Sequence, residues 1–445
     1  MVIDPRAILS LCLTSLLLVS CVTDDGQGPP GPYVPAQPPV VTQPEPDPEP
    51  TTDTSKPSQG TELVLPHTQG RTLVRIALLL PFSAKSTALQ DQARSMLAAA
   101  ELAVFESGDL RLVLIPKDTG GTSAGADHAA RTAIEDGADI LVGPLLARSV
   151  SAAAKQARPH NIPLISFSTD QKVAGNGVYL MSFQPENEIS RIIDFASKNG
   201  HFNFALLRGQ TAYGRRVEKA MLRQALANGG SITDIEIFPR ETNKMRGPAS
   251  RIAHTVEREE ALDAWQLAGG IGDPALDPEF AFELPYTAVL LPESGIRLQS
   301  LAPLLPYFDV DPRKTKFLGT SLWHDESLYR EPALLGGWFP GPDPQSMEAF
   351  LGSYQRAYSQ KPERLAPLAY DAIRIAGIIS EADDDGQIHI RRDWLEDENG
   401  FTGATGLFRF SKNGLVEHQL AVFEMRRGRF EVIDPAPTAF DLPSF

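Results

Sequence analysis

The chain has 445 residues, 41 basic and 56 acidic side chains for a formal charge of −15, and two cysteines. At about 150 residues per domain this length calls for two or three domains, and an apolar fraction of 42% fills a sizeable core, which excludes wholesale disorder. The acidic balance leaves no net basic surface to neutralise phosphates and argues against a general nucleic-acid binder.

Residues 1–20 read as an export signal. Arg6 supplies a weak positive start, and Ala7 to Leu18 form an apolar stretch too short for a comfortable membrane span. Leu18-Val19-Ser20-Cys21 resembles the bacterial lipobox, whose cysteine is lipidated and becomes the first mature residue. The competing reading, an ordinary secretory signal with a chance cysteine, does not account for the small residue before Cys21 or the abrupt polar chain after it. Cys12 leaves with the signal, so Cys21 alone remains and no internal disulfide can form. Val22, rather than Asp, follows it; by the lipoprotein sorting pattern of diderm bacteria this favours the outer membrane. Residues 22–70 hold 12 prolines, seven acidic residues and one basic residue, and read as a disordered linker. Together, 21–70 form a lipidated spacer that reaches between ~40 Å as a coil and ~150 Å as polyproline II.

From Arg71 the pattern becomes an alternation of strands and helices. Arg71 to Leu80 reads as a strand buried on both faces, Gln90 to Glu106 as a helix, Leu110 to Ile115 as a strand, and Ser123 to Glu135 as a helix. Asp139 to Val142, a helix at Arg148 to Arg158, and a strand at Pro163 to Ser166 follow. After a break at Phe183-Gln184-Pro185 come a helix (Glu186 to Lys198), a strand (Phe202 to Leu207), a helix (Tyr213 to Ala227) and a strand (Ile232 to Phe238). Arg246 to Leu267 reads as one helix and Ala288 to Leu291 as a strand, separated by a long Gly/Pro-punctuated loop bearing Phe280, Phe282 and Tyr286. Two more helices, Met347 to Gln360 and Leu365 to Ala382, precede a strand meander with an Asn413-Gly414 turn. The fold class is α/β, with two lobes of mainly parallel sheet flanked by helices.

Chemistry-bearing motifs are scarce. There is no Gly-Lys-Ser/Thr phosphate loop and no SxxK pair. The eight histidines make no metal-ligand spacing, and no cofactor is expected. His324-Asp325 reads as a surface loop rather than a water-activating pair. Polar residues do follow the predicted parallel strands, at the edge where open α/β sheets bind ligands. Ser83 and Ser86 follow the first strand, Leu145 the third, Ser168, Thr169 and Asp170 the fourth, and Glu293 the strand at Ala288. Ser and Thr there can donate to a carboxylate, and Asp or Glu can take an amine. The competing reading makes them ordinary turn and cap residues, which every strand-to-helix junction needs.

The ordered series IALLLPFSAKST, DILVGPLLARSV, IPLISFSTD, GVYLMSFQPENEISRIIDFA and ALLRGQTAYGRRVEKAM, continuing through FLGTSLWHDE and FTGATGLFRFSKNG, resembles type I periplasmic binding proteins over roughly residues 71–432. Within that group, VGPLL, PLISFSTD and the Trp-His-Asp segment before GGWFPGPDP are most similar to the lipoprotein activators of penicillin-binding proteins. The resemblance implies two discontinuous lobes, 71–183 with 344–403 and 184–343 with 404–435. They are joined by crossings near Phe183, Pro340 to Pro344 and Gly403, with a loop 269–286 inserted in the second lobe and a tail at 436–445. It also implies a non-catalytic, lipid-anchored periplasmic protein that contacts a class A penicillin-binding protein, with Phe280, Phe282 and Tyr286 as contact residues. The alternative is a substrate-binding protein of an ABC importer for amino acids or related small molecules, with Ser168, Thr169, Tyr213 and Glu293 converging on the cleft. Amino-acid receptors carry a serine-rich loop after the third strand. Here that loop is Pro144-Leu145-Leu146-Ala147.

Overall fold

A computed structural model describes residues 71–274, 277, 282–383 and 387–440. Cys21, the linker, Phe280 and residues 441–445 of the tail lie outside the described residues.

The first lobe opens with β1 (Val74–Leu80), α1 (Thr87–Ser107), β2 (Leu112–Asp118), α2 (Ser123–Glu135), β3 (Ile140–Val142), α3 (Ala147–Ala157), β4 (Leu164–Ser166) and β5 (Val178–Leu180). The second takes α4 (Pro185–Lys198), β6 (Asn203–Gly209), α5 (Ala212–Ala227), β7 (Ser231–Phe238), α6 (Arg246–Ile252), α7 (Thr255–Leu267), β8 (Ala288–Leu290), α8 (Gly295–Leu301), α9 (Leu304–Tyr307), β9 (Lys316–Leu318) and β10 (Trp338–Gly341). The chain then returns to the first lobe with α10 (Pro344–Tyr358), α11 (Ala366–Ile378), β11 (Ser380–Ala382), β12 (Ile388–Ile390), α12 (Arg392–Leu395), β13 (Phe401–Gly403), β14 (Gly406–Phe410) and β15 (Val416–His418). It ends in the second lobe with β16 (Ala421–Arg426) and β17 (Arg429–Asp434).

The first sheet is parallel, in the order β2-β1-β3-β4-β5, and the second runs β17-β16-β10-β9-β8-β6-β7, with β16 and β17 antiparallel. Each sheet is buried on both faces, which explains the near-continuous apolar runs of its central strands. In β1, Ile76, Leu78 and Leu80 enter one core with α1 and α11, while Ala77 and Leu79 enter a second, alanine-rich one with α2 and α3. In β6, Ala205 and Leu207 face one core, and Phe204 and Leu206 face the other, against α4 and α5. The helices begin at local caps: Thr122 Oγ1 accepts from Gly125 N at 3.0 Å, Thr211 Oγ1 from Gly214 N at 2.9 Å, and Asp343 from Ser346 N at 2.9 Å.

Three readings of the sequence need correction. The helix expected over Leu365 to Ala382 ends at Ile378, and Ser380–Ala382 pairs with β12 as a strand. The segment 246–267 is broken into α6 and α7 because His254 takes φ +50° and sets its Nε2 3.0 Å from Asp234. The C-terminal meander is also divided: Phe408, Phe410 and Val416 pack into the first-lobe core, whereas β16 pairs with β10 of the second sheet. The third crossing therefore lies after His418, downstream of the expected position at Gly403.

Candidate functional site

In both sheets the strand order reverses beside the first strand of the lobe, between β1 and β3 and between β6 and β8. Loops leaving such switch points line the crevice where open α/β sheets take ligands.

On the first-lobe edge, Asp118, Ser168 and Asp170 serve their own turns. Asp118, at the end of β2, accepts from Ser83 N at 3.2 Å and Gly120 N at 2.9 Å. Burial works to raise its pKa, but the Ser83 hydroxyl and these amides prevail and hold the carboxyl below the usual range. Ser86 occupies the cap position of α1 without a side-chain capping bond. Leu145 is half-buried against the first-lobe core, and the preceding Pro144 carbonyl accepts the Ser166 hydroxyl at 3.0 Å. The Ser168 hydroxyl accepts from Asp170 N at 3.1 Å, and the Asp170 carboxylate from Lys172 N at 3.1 Å. Ser168 and Asp170 are thus turn residues, and Thr169 is exposed at the same loop.

On the second-lobe edge, the side chains bond over long sequence distances. The Tyr213 hydroxyl donates to Thr320 Oγ1 at 3.0 Å, and burial, then the nearby Glu188 carboxylate, drive its acidity far down. Ser321, after β9, donates its hydroxyl to Glu188 at 2.6 Å and its amide to the same carboxylate at 3.1 Å. Glu188 is only 4% exposed, and burial raises its pKa against the pull of these donors and Arg364. Glu293 lies against the backbone at Gly209, where a Cβ would stand 2.5 Å from its Oε1, and pairs with Arg297 at 3.1 Å. Tyr213 and Glu293 are therefore brought together with Thr320 and Glu188, whereas Ser83 and Ser86 are not part of this cluster.

Side chains also bond between the two lobes. Arg364, before α11, donates to Ser321 Oγ at 3.1 Å, and Lys361 pairs with Glu326 at 3.0 Å. Arg216 on α5 donates to the Thr169 carbonyl at 2.6 Å while its other nitrogens hold Glu186 and the Gln184 side chain. Sequence reasoning missed Glu188, Arg364 and Arg216, because nothing local marks residues whose partners lie far along the chain.

The aromatic candidates divide. Tyr286 is only 2% exposed, packs in the second-lobe core and donates its hydroxyl to the Ile252 carbonyl at 2.6 Å, so it presents no contact surface. Phe282 is half-buried with the Arg258 guanidinium 5.3 Å from its ring centre. His324 is exposed, with its ring against Phe423, Phe430 and Phe339, and desolvation by these neighbours depresses its basicity.

Gly121-Thr122-Ser123-Ala124-Gly125 has the GxSxG spacing of a nucleophile elbow and stands between a strand and a helix. Ser123 is instead the first residue of α2, and its hydroxyl donates to the Arg148 carbonyl at 3.3 Å. Gly125 is required for close packing, since a Cβ there would meet the Thr119 carbonyl at 2.1 Å. Among the described residues, no group of three or more His, Cys, Asp or Glu is arranged to hold a metal, and no helix is long and apolar enough to cross a membrane.

The sequence profile of the family described as "Periplasmic binding protein" matches residues 73–255. No curated protein matches the chain. Among solved structures, a putative branched-chain amino acid ABC transporter protein from Rhodospirillum rubrum is 17% identical with a TM-score of 0.65, the match covering 81% of this chain and 100% of that one. An ABC transporter substrate-binding protein from Sphaerobacter thermophilus is 18% identical with a TM-score of 0.61, over 83% and 99% of the two chains. A branched-chain amino acid transporter substrate binding protein from Streptococcus pneumoniae, in complex with isoleucine, is 18% identical with a TM-score of 0.53, over 82% and 100%. The chain has the type I periplasmic binding protein fold.

Proposed function

We propose that this chain is a non-catalytic, lipid-anchored periplasmic protein that activates a class A penicillin-binding protein by direct contact. The observation that carries this reading is the self-satisfied cleft. Ser321 bonds Glu188 within the second lobe and Arg364 across the lobes, and the Ser168 hydroxyl is taken up by its own turn. A two-lobed body held by its own side chains needs no small ligand to fix its shape, so it is suited to present a surface. The lipobox at Cys21, the long proline-rich spacer and the apolar loop at Leu145 agree with it. Its mechanism is differential affinity for the active conformation of the synthase. The test is transpeptidation by a class A penicillin-binding protein from the same cell, with and without the full-length chain. Stimulation with saturable binding is expected. A folded chain that neither binds nor stimulates ends this reading.

A second reading, an ABC-importer substrate-binding protein for amino acids or related small molecules, is favoured by the gathering of Tyr213, Thr320 and Glu293 at the β6–β8 switch point. It is also supported by the fold neighbours named above. It predicts a ligand-induced rise in melting temperature that Glu293→Gln removes.

A further inference from the structure

Away from the switch points, a pocket of about 410 Å³ opens in the first lobe between α1, α10, α11 and β13. That volume is in the range of small-molecule sites. Its inner wall is apolar: Phe350 is 4% exposed and packs at 5.2 Å against the Tyr370 ring, and Ala404 adjoins them.

Its rim carries one cation and one anion that are not paired with each other. Arg374, one turn beyond Tyr370 on α11, holds its guanidinium carbon 5.7 Å from the Tyr370 ring centre. Among the described residues it makes no ion pair and no side-chain hydrogen bond. Glu106, near the end of α1, accepts the Tyr370 hydroxyl on Oε2 at 2.6 Å and has no cationic partner among the described residues. Elsewhere on this chain arginines pair readily with nearby carboxylates, as Arg111 does with Asp109 at 2.7 Å and Arg313 with Asp311 at 2.8 Å. Here Tyr370 stands between the two charges, occupied by Glu106 through its hydroxyl and by Arg374 through its ring.

We propose that this pocket binds a small zwitterion, a free amino acid or a short peptide, through Arg374 and Glu106. The planar guanidinium takes the carboxylate in a two-pronged bond. The remaining Glu106 oxygen, Oε1, takes the ammonium group, and the apolar body lies on Phe350. Opposite charges on one rim select a molecule that carries both, and a ligand with only one leaves the other rim charge unanswered. The site adjoins the second crossing: Ser346, on its rim, donates its amide to Asp343 at 2.9 Å. The inference is independent of how the cleft between the lobes is used.

The test is titration calorimetry of the full-length chain with L-phenylalanine and with L-alanyl-L-alanine, which separate the free amino acid from the peptide source. The single-charge analogues are 3-phenylpropionate and 2-phenylethylamine. At least one zwitterion is expected to saturate one site, and each analogue to bind at least about tenfold more weakly, since a charged hydrogen bond is lost. Arg374→Gln and Glu106→Gln are each expected to weaken binding by at least about tenfold. Ala349→Trp, at an exposed wall position, is expected to abolish it with both charges intact. The cleft variant Tyr213→Phe is expected to bind as the unaltered chain does, and thermal unfolding of each variant confirms that it is folded. Neither zwitterion binding at millimolar concentration, binding that survives Arg374→Gln and Ala349→Trp, or binding lost in Tyr213→Phe would each overturn the proposal.

Discussion

Ser168 in the first lobe and Ser321 in the second each follow a buried parallel strand, yet their hydroxyls serve opposite purposes. That of Ser168 accepts from the amide of Asp170, two residues on, at 3.1 Å. That of Ser321 donates to Glu188, 133 residues away in the chain, at 2.6 Å, and accepts from Arg364 in the other lobe at 3.1 Å. The same contrast holds along both edges: Ser83 and Asp170 stabilise loops, whereas Tyr213, Thr320 and Glu188 form a buried network. A polar residue after a strand is therefore informative only when its partner is known. Local partners make a turn, and distant ones tie separate elements together, and at Arg364 the two lobes.

The strongest break of this comparison is Glu188→Ala, which leaves the buried Ser321 amide and hydroxyl without an acceptor. We expect a loss of about 3 kcal/mol in denaturant unfolding, against about 1 kcal/mol for Ser168→Ala. Equal losses would erase the distinction between the edges.

The next effect is at the join of the lobes, where His418 lies between Phe183 and Phe408 with its Nε2 unpartnered, and burial lowers its pKa to about 3. A depressed base adds stability above its unfolded value near 6.5 and loses it as the pH falls, because the unfolded chain takes up the proton first. Asp371, which burial raises to about 6 despite donors from Ala404 and Thr405, works in the opposite sense: its contribution is full below pH ~4 and is lost as the pH rises through about 6. Relative to the unaltered chain, His418→Phe is therefore expected to gain about 2 kcal/mol between pH 8 and pH 5. Parallel stability curves for the two proteins would show that His418 is not held neutral.

A smaller effect is expected from Arg364→Ala, about 1 kcal/mol for one charge-assisted bond, read most directly as faster amide exchange at Ser321. Unchanged exchange would remove Arg364 from the network. The least is expected from Ser83→Ala, whose exposed side chain should leave stability within about 0.5 kcal/mol.

Much of the architecture was legible along the chain. Strands buried on both faces announce themselves as apolar runs, as at Arg71 to Leu80, and the caps at Thr122, Thr211 and Asp343 are local signals read by their own helices. Glu293 was identifiable by its place after a parallel strand, and Tyr213 only through the resemblance. The break at His254 was not legible, because the side chain that holds it belongs to β7. Nor was the burial of Tyr286, whose position in a Gly/Pro-rich stretch gives no sign of the carbonyl that receives its hydroxyl. The sequence by itself determined the α/β alternation and the loop positions from which a cleft is built, since both depend on periodicity and turn chemistry within a few residues. Only the tertiary structure decided where the chain crosses for the third time, that Arg364 meets Ser321, and that Arg374 and Glu106 share a rim. Those pairings are set by which helices and strands the topology brings side by side, and no spacing along the chain encodes them.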